Sequence, residues 1–554
     1  AVAFVQGLQG DDPRYLKLAS TLKHFAVNNV EKNRQNLSAT VSERMLHEYW
    51  LPHFRDAIVE GRASSVMASY NRINGVHNVY NRPLLTDILK TEWGFKGFIV
   101  SDLGGVRDKD MVVQAVNAGC DFSDKEFRIF IPEALRSSQI GEARLDEALA
   151  RVLRVRFRLG EFDPAERVPY RKIPMTVVCS PEHRQLSLEA SRQSIVLLQN
   201  KDNLLPLDRA KLKTIAVIGP LADRFVAGDP AYIGNSKRTI ITALAGIRDR
   251  AAKGAEITFV VGAEVIPARP RYAGSTAPRP FDVDGELAKA VEAAKKADVA
   301  VVCVGTMLAV EHEGHDRETL ALPGNQQRLV ESVVAVNPRT VVVLFNAGPL
   351  TVPWIKDHVP AIVAAWWSGE EQGHALADVL FGDVNPAGRL PYTVYASESQ
   401  VPPQDEYDIS KGFTYMYLRG EPLFAFGHGL SYTQFKYSNL RLASDAILAS
   451  GSLQATIDVE NIGSRAGDEV VQLYTRAVAP TVKRPAKELR GFARIALEPG
   501  EKKTVAFDVP TEKLAFYDEQ RHGFVVETGA YQIMVGASSA DIRAAVTATV
   551  ANAN

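Results

Sequence analysis

Two carboxyl groups held near each other, one ionised to attack carbon and one protonated to hand a proton to a departing oxygen, can split one hard displacement into two easier ones. Asp102 suits the first role. It ends the apolar run Gly97-Phe98-Ile99-Val100-Ser101 and is followed by Gly104-Gly105, where a ligand could approach the backbone closely. By position alone, it would serve equally well as the cap of the following helix. The second carboxyl group is sought in Glu311-His312-Glu313-Gly314-His315-Asp316-Arg317, a polar stretch after the apolar run that ends at Val304. Loops that follow strand ends are where α/β sheets bind ligands, although charge this dense more often marks a solvated surface. The spacing of its histidines and carboxylates matches neither HExxH nor a Cys/His zinc pattern, so no metal is expected. Lys23 and His24 stand at the end of another apolar run, and Arg34, Met67 and Tyr70 could line the same mouth. Taken singly, such a His or Met is more often a packed structural residue.

These groups need a scaffold, and the chain alternates in a way that supplies one. The short apolar runs Thr21–Phe25, Ser65–Tyr70, Gly97–Asp102 and Gly119–Phe122 are separated by helical patterns. One of these begins at Ser42, a candidate N-cap, and places Leu46, Leu51, Phe54, Ala57 and Ile58 at helical spacing. A βα succession builds a parallel sheet, and polar residues clustered where strands stop are the mark of a (β/α) barrel. A complete barrel takes about 250 residues, so residues 1–165 are expected to hold the C-terminal half of a TIM-like barrel, with unpaired sheet edges. Residues 166–190 are expected to be a linker and a first helix, opened by Ser180-Pro181-Glu182. Residues 191–400 carry four apolar runs, at Thr214–Ile218, Val299–Val304, Thr340–Leu344 and Ala361–Ala365. They predict an α/β sandwich domain with a mostly parallel sheet. After a connecting segment at 401–435, about seven period-2 strands in 436–554 predict a fibronectin type III-like β-sandwich. The fold class is therefore α/β multidomain.

With 554 residues, 46% hydrophobic and a formal net charge of −1, the chain lacks the basic surface that nucleic acid or an anionic membrane would require. Its longest apolar runs, such as Ala361–Trp367, fall short of the roughly 20 residues that cross a bilayer. Cys120, Cys179 and Cys303 form no CxxC pair and read as buried small apolar residues. The chain opens in mid-pattern without an initiator Met, which leads us to expect further sequence upstream; the compartment stays open, with a periplasmic or secreted one preferred.

Longer motifs bear on these readings. Gly7-Leu8-Gln9-Gly10, Lys23-His24-Phe25-Ala26-Val27-Asn28-Asn29, Val66-Met67-Ala68-Ser69-Tyr70-Asn71 and Glu92-Trp93-Gly94-Phe95 through Asp102 resemble the barrel of glycoside hydrolase family 3. Glu313-Gly314-His315-Asp316-Arg317, Leu322-Pro323-Gly324 and the stretch Phe381–Pro391 resemble that family's second domain. Phe426-Gly427-His428-Gly429-Leu430-Ser431-Tyr432 and Leu489-Arg490-Gly491-Phe492 resemble its fibronectin-type third domain.

The resemblance covers essentially the whole chain in the family's order. It implies a retaining, exo-acting β-glycosidase without a cofactor, first of all a β-glucosidase, acting on a β-glucoside or oligosaccharide. It further implies Asp102 as nucleophile, Glu313 as general acid/base from another domain, and Lys23, His24, Arg34, Met67 and Tyr70 as contacts to the sugar at the cleaved end. Glu311 and Asp316 are the runners-up for the acid. Leu103 stands where the family commonly has Trp, which removes a stacking platform beside the nucleophile. The family's substrate-gripping Asp and Arg from the first half-barrel have no counterpart here. That half is expected as a separate fragment or chain, and a homodimer is also considered. A β-xylosidase or dual-specificity enzyme is the alternative within the family. An N-acetylhexosaminidase is disfavoured, because the KHFPGH-type segment of that branch is replaced by Lys23-His24-Phe25-Ala26-Val27-Asn28. From other classes, a non-catalytic carbohydrate-binding protein is retained. An oxidoreductase is set aside, since Ile215-Ala216-Val217-Ile218-Gly219-Pro220 lacks GxGxxG.

Overall fold

Three of the four apolar runs near the start of the chain become strands: β1 (Thr21–Phe25), β2 (Ser65–Ala68) and β3 (Phe98–Ser101). They form a parallel sheet in the order β1-β2-β3, with Thr21 opposite Ser65 and Ser65 opposite Phe98. The computed structural model describes residues 1–226, 239–266 and 281–552. It divides into two compact units, the first comprising Ala1–Val177, Pro403–Asp408 and Phe516–Phe524. Phe25, Val66 and Ile99 are fully buried in this unit, and the Phe25 ring meets that of Phe54 edge-on at 5.0 Å. Ser42 caps its helix as expected, accepting the Met45 N–H at 3.1 Å. The helix then widens into a π turn over Leu46–Trp50 before Pro52–Val59. Pro52, having no N–H to give, interrupts the regular ladder there.

The fourth expected strand, Gly119–Phe122, is not one. It contributes a single parallel bridge, Val100 to Phe122. The cause is Asp121, whose Oδ2 accepts the Ile99 N–H at 2.9 Å in place of a backbone carbonyl. The buried Asp121 carboxylate also holds Lys90 at 2.8 Å and Arg144 at 2.7 Å. Burial pulls the Lys90 ammonium below its ordinary range, and Asp121 only partly offsets this. Removing one partner of such a buried network leaves charge uncompensated. Asp121→Ala is therefore expected to lose about 3–5 kcal/mol of stability, read by chemical denaturation; a loss typical of exposed pairs, under about 1 kcal/mol, would contradict it. Cys120 and Cys303 are buried, and burial pushes both thiols up to about 12. Cys179 is only half-buried, contrary to the sequence reading, because it lies in the irregular segment before the helix Pro181–Ser194.

The second unit comprises Val178–Pro402, Ile409–Ala515 and Val525–Asn554. Its α/β sheet has six strands: β4 (Val196–Asn200), β5 (Thr214–Ile218), β6 (Glu256–Val260), β7 (Val299–Gly305), β8 (Thr340–Phe345) and β9 (Ala361–Ala364). They run β4-β9-β8-β7-β5-β6, all parallel except β4, which is antiparallel to β9. The four expected strands form the sheet's centre. Alternate residues feed two cores, Val217, Val301, Cys303, Val343 and Val363 on one face and Ala216, Val302, Val304, Val342 and Ile362 on the other. Burial on both faces explains why these strands read as continuous apolar runs.

The end of the chain forms a sandwich of two sheets. One contains Phe435–Leu442, Ser452–Asn461 and Lys502–Pro510; the other contains Ala446–Leu448, Ile542–Ala551, Gly529–Gly536, Gly467–Ala477 and Glu488–Leu497. Where about seven strands were expected, the described residues place eight in these two sheets, with Phe516–Asp518 and Gly523–Val525 forming a separate two-stranded sheet. Inward-facing Leu453, Ile457, Val471, Leu473, Ile533 and Val535 share one core.

Candidate active site

β3 ends at Ser101 and delivers Asp102 as its next residue. The Asp102 N–H donates to the Ala68 carbonyl at 3.1 Å, which extends the pairing with β2 by one residue. The side chain is buried, with the Leu103 N–H donating to Oδ1 at 2.7 Å and His24 Nε2 lying 3.2 Å from Oδ2. Asp102 does not cap the next helix. That helix, Lys109–Ala118, is capped by Asp108, whose Oδ1 accepts the Met111 N–H at 2.9 Å. The geometry thus removes the structural alternative that the sequence left open.

Other residues of the expected mouth gather around Asp102. Tyr70, itself buried, donates its hydroxyl proton to the Leu103 carbonyl at 2.6 Å. The Arg34 guanidinium lies 5.0 Å over the Tyr70 ring and pairs with Glu31 at 3.0 Å. Leu103 is 78% exposed, so an apolar side chain stands in solvent directly beside the buried carboxylate. Lys23 is exposed and Met67 half-buried on their strands. Among the described residues, neither has a hydrogen bond or ion pair to Asp102.

A buried amide network behind His24 was not foreseen. Asn78 Nδ2 donates to the Ala26 carbonyl at 2.7 Å, Asn71 Nδ2 to that of Val27 at 3.0 Å, and the Ser69 hydroxyl to Asn71 Oδ1 at 2.7 Å. Ser69, Asn71 and Asn78 are essentially inaccessible, so each must find partners inside. The partners they find are the backbone carbonyls that follow His24. The polar Ser69 and Asn71 at the end of β2 were the available signal.

Glu313 belongs to the second unit, in the loop after β7. The His312 N–H donates to the His315 carbonyl at 3.3 Å and the His315 N–H to that of His312 at 3.0 Å. Glu313 and Gly314 form the two-residue tip between them, and Gly314, the second of the two, has φ +85°, which glycine adopts without steric cost. The Glu313 side chain is exposed. Glu311 is placed differently. Its Oε1 accepts the Thr306 hydroxyl proton at 2.5 Å, and its Oε2 pairs with Arg317 at 2.7 Å. Arg317 in turn donates to the Pro349 carbonyl at 2.9 Å. Glu311 is therefore tied into holding the loop, while Asp316 is half-buried beside it.

A cavity of about 570 Å³ also opens in this unit, lined by Lys201, Asp298, Arg339 and Pro360 among others. It lies at the amino ends of the parallel strands, away from the carboxyl ends where such sheets bind ligands. No described group of three or more His, Cys, Asp or Glu side chains is arranged to hold a metal ion.

The Glycosyl hydrolase family 3 N terminal domain matches residues 1–155, the Glycosyl hydrolase family 3 C-terminal domain residues 195–432, and a Fibronectin type III-like domain residues 469–539. Thermostable beta-glucosidase B of Acetivibrio thermocellus is 36% identical over 98% of this chain and 70% of its own length. A beta-xylosidase of Formosa agariphila is 34% identical over 97% of this chain and 77% of its own. Among solved structures, a β-glucosidase from Erythrobacter marinus superposes with a TM-score of 0.89 at 31% identity, covering 99% of this chain and 76% of that one.

Proposed function

The chain belongs to glycosyl hydrolase family 3, and from that premise we propose that Asp102 and Glu313 carry out a double displacement on terminal β-D-glucosyl residues. The protein is a retaining, exo-acting β-glycosidase. In the first displacement an Asp102 carboxylate oxygen bonds to the anomeric carbon, the bond from that carbon to the leaving oxygen breaks, and the Glu313 proton moves to that oxygen. In the second, Glu313 takes a proton from water, the water oxygen bonds to the anomeric carbon, and the ester to Asp102 breaks. Two inversions restore the β configuration.

The observation that carries this reading is the buried Asp102 carboxylate past the end of β3, with the Leu103 N–H on one oxygen and His24 beside the other. Lys23, His24 and Arg34 offer hydrogen-bond donors to sugar hydroxyls, while Met67, Tyr70 and Leu103 offer apolar surface. The tie of Glu311 to Arg317 and Thr306 favours Glu313 as the acid.

Glucose differs from xylose by one hydroxymethyl group, and the likeness to a beta-xylosidase makes xylosides the second reading. Read by packing alone, one carbon's difference in a pocket discriminates by about 10–200-fold. The 4-nitrophenyl β-D-glucoside is therefore expected to be cleaved at least about tenfold faster than the β-D-xyloside by kcat/KM, with β-glucose as the first sugar seen by proton NMR. The reverse preference would make the enzyme a xylosidase; α-glucose appearing first would exclude double displacement.

A further inference from the structure

Asp124 stands at the N-cap position of the helix Lys125–Arg136, yet its side chain makes no capping hydrogen bond. An Asp there ordinarily accepts an N–H from the first turn, worth about 1 kcal/mol. Instead, Oδ2 turns back to accept the Gly104 N–H at 3.1 Å, and Oδ1 accepts the Ser123 hydroxyl proton at 3.1 Å. Burial opposes ionisation of Asp124, but the Gly104 N–H, Ser123 and Glu126 outweigh it and hold the carboxyl below its ordinary range.

The Gly104 N–H and the Leu103 carbonyl belong to one peptide group. Tyr70 donates to its oxygen at 2.6 Å, and Asp124 accepts from its nitrogen. This plane is therefore gripped from both sides, two residues past the candidate nucleophile. Gly104 allows the turn by adopting φ +69°. The preceding peptide supplies the Leu103 N–H that holds Asp102 Oδ1 at 2.7 Å. On the strand side the same segment is tied again, by the Ser101 N–H to the Phe122 carbonyl at 3.0 Å and by the Ser101 and Ser123 hydroxyls at 2.7 Å. Ser101 and Ser123 are both buried.

We propose that Asp124 is a positioning residue for the glycosidic reaction: with Tyr70 it clamps the Leu103–Gly104 peptide, and so fixes the Leu103 N–H that aims the Asp102 carboxylate. The proposal rests on Asp102 being the nucleophile. Asp124 acts through the backbone, so its loss is expected to slow the attack on carbon while leaving sugar binding intact.

Asp124→Ser tests this, because Ser caps helices well and so preserves the fold, while its hydroxyl, one bond shorter, withdraws the acceptor from Gly104. Asp124→Asn keeps an acceptor oxygen at the original reach. In the full chain, both variants would be assayed with 4-nitrophenyl β-D-glucoside and with a 2-deoxy-2-fluoro-β-glucoside, which traps the covalent intermediate and reads the first displacement alone. For Asp124→Ser, kcat and the trapping rate are expected to fall about 10- to 100-fold, the scale of a misplaced reacting group, with KM within about threefold. Asp124→Asn is expected to recover most of the rate. An unchanged rate in Asp124→Ser, an equal loss in both variants, or a rise in KM with trapping unaffected would each overturn the clamp. Asp102→Ala is the control that separates the two ideas: if it stays active, the nucleophile assignment fails, whereas if it is inert and Asp124→Ser behaves as wild type, only the clamp fails.

Discussion

Asp102→Ala is expected to leave less than about one part in 10⁴ of kcat, the loss that follows removal of a covalent nucleophile. The fold should tolerate the change. The Asp102 backbone keeps its hydrogen bond to the Ala68 carbonyl, and the following helix keeps Asp108 as its cap. What disappears is the oxygen proposed to attack carbon, with the acceptor for the Leu103 N–H. KM should change little, since the proposed sugar contacts at Lys23, His24, Arg34, Met67 and Tyr70 remain. A small anion such as azide can enter the space vacated by the carboxylate and attack the anomeric carbon from the same face. One displacement then replaces two, so rescue by azide should yield the α-glucosyl azide. Full activity in the variant, or rescue that yields only the β product, would remove Asp102 from the nucleophile's place.

How much of this could be read beforehand depended on whether a residue's partner lay near it in sequence. β7, β8 and β9 were legible because both of their faces are buried, which writes an unbroken apolar run. β4 was not, because Val196–Asn200 is a short stretch whose last two residues are polar and whose pairing partner, β9, lies far away in sequence. Gly119–Phe122 misled in the opposite direction: its apolar residues suggested a strand, while Asp121 within it had to be paired with Lys90 and Arg144 from distant segments. The ambiguity of Asp102 turned on which acid caps the next helix, and Asp108 could be assigned only once the helix start at Lys109 was known. Asp124 shows the converse. It stands at the N-cap position of the helix Lys125–Arg136, and only the return of the chain past Gly104 redirects it. Glu311 and Glu313 likewise look interchangeable as letters; the ion pair of Glu311 with Arg317 and the turn at Gly314 tell them apart.

That distinction sets the second large effect. Glu313→Ala removes the proposed proton donor, which is expected to cost about 10²–10⁴-fold in kcat on glucosides with poor leaving groups. The cost should depend on the substrate, unlike that of Asp102→Ala. A 2,4-dinitrophenolate departs without protonation, so the first displacement survives, and the glucosyl ester on Asp102 accumulates because no base activates water. A burst of dinitrophenol followed by a slow steady state is the expected trace. Azide needs no base and would attack that ester, so rescue should give the β-glucosyl azide, the opposite anomer to the Asp102→Ala product. Glu311→Gln separates the neighbours: it breaks the pair with Arg317 and is expected to weaken the loop, lowering kcat on all substrates alike, without a burst and without azide rescue. If the burst and the β-azide appear in Glu311→Gln and not in Glu313→Ala, the acid is Glu311. The anomer of the azide product therefore identifies which carboxylate attacks carbon and which carries the proton.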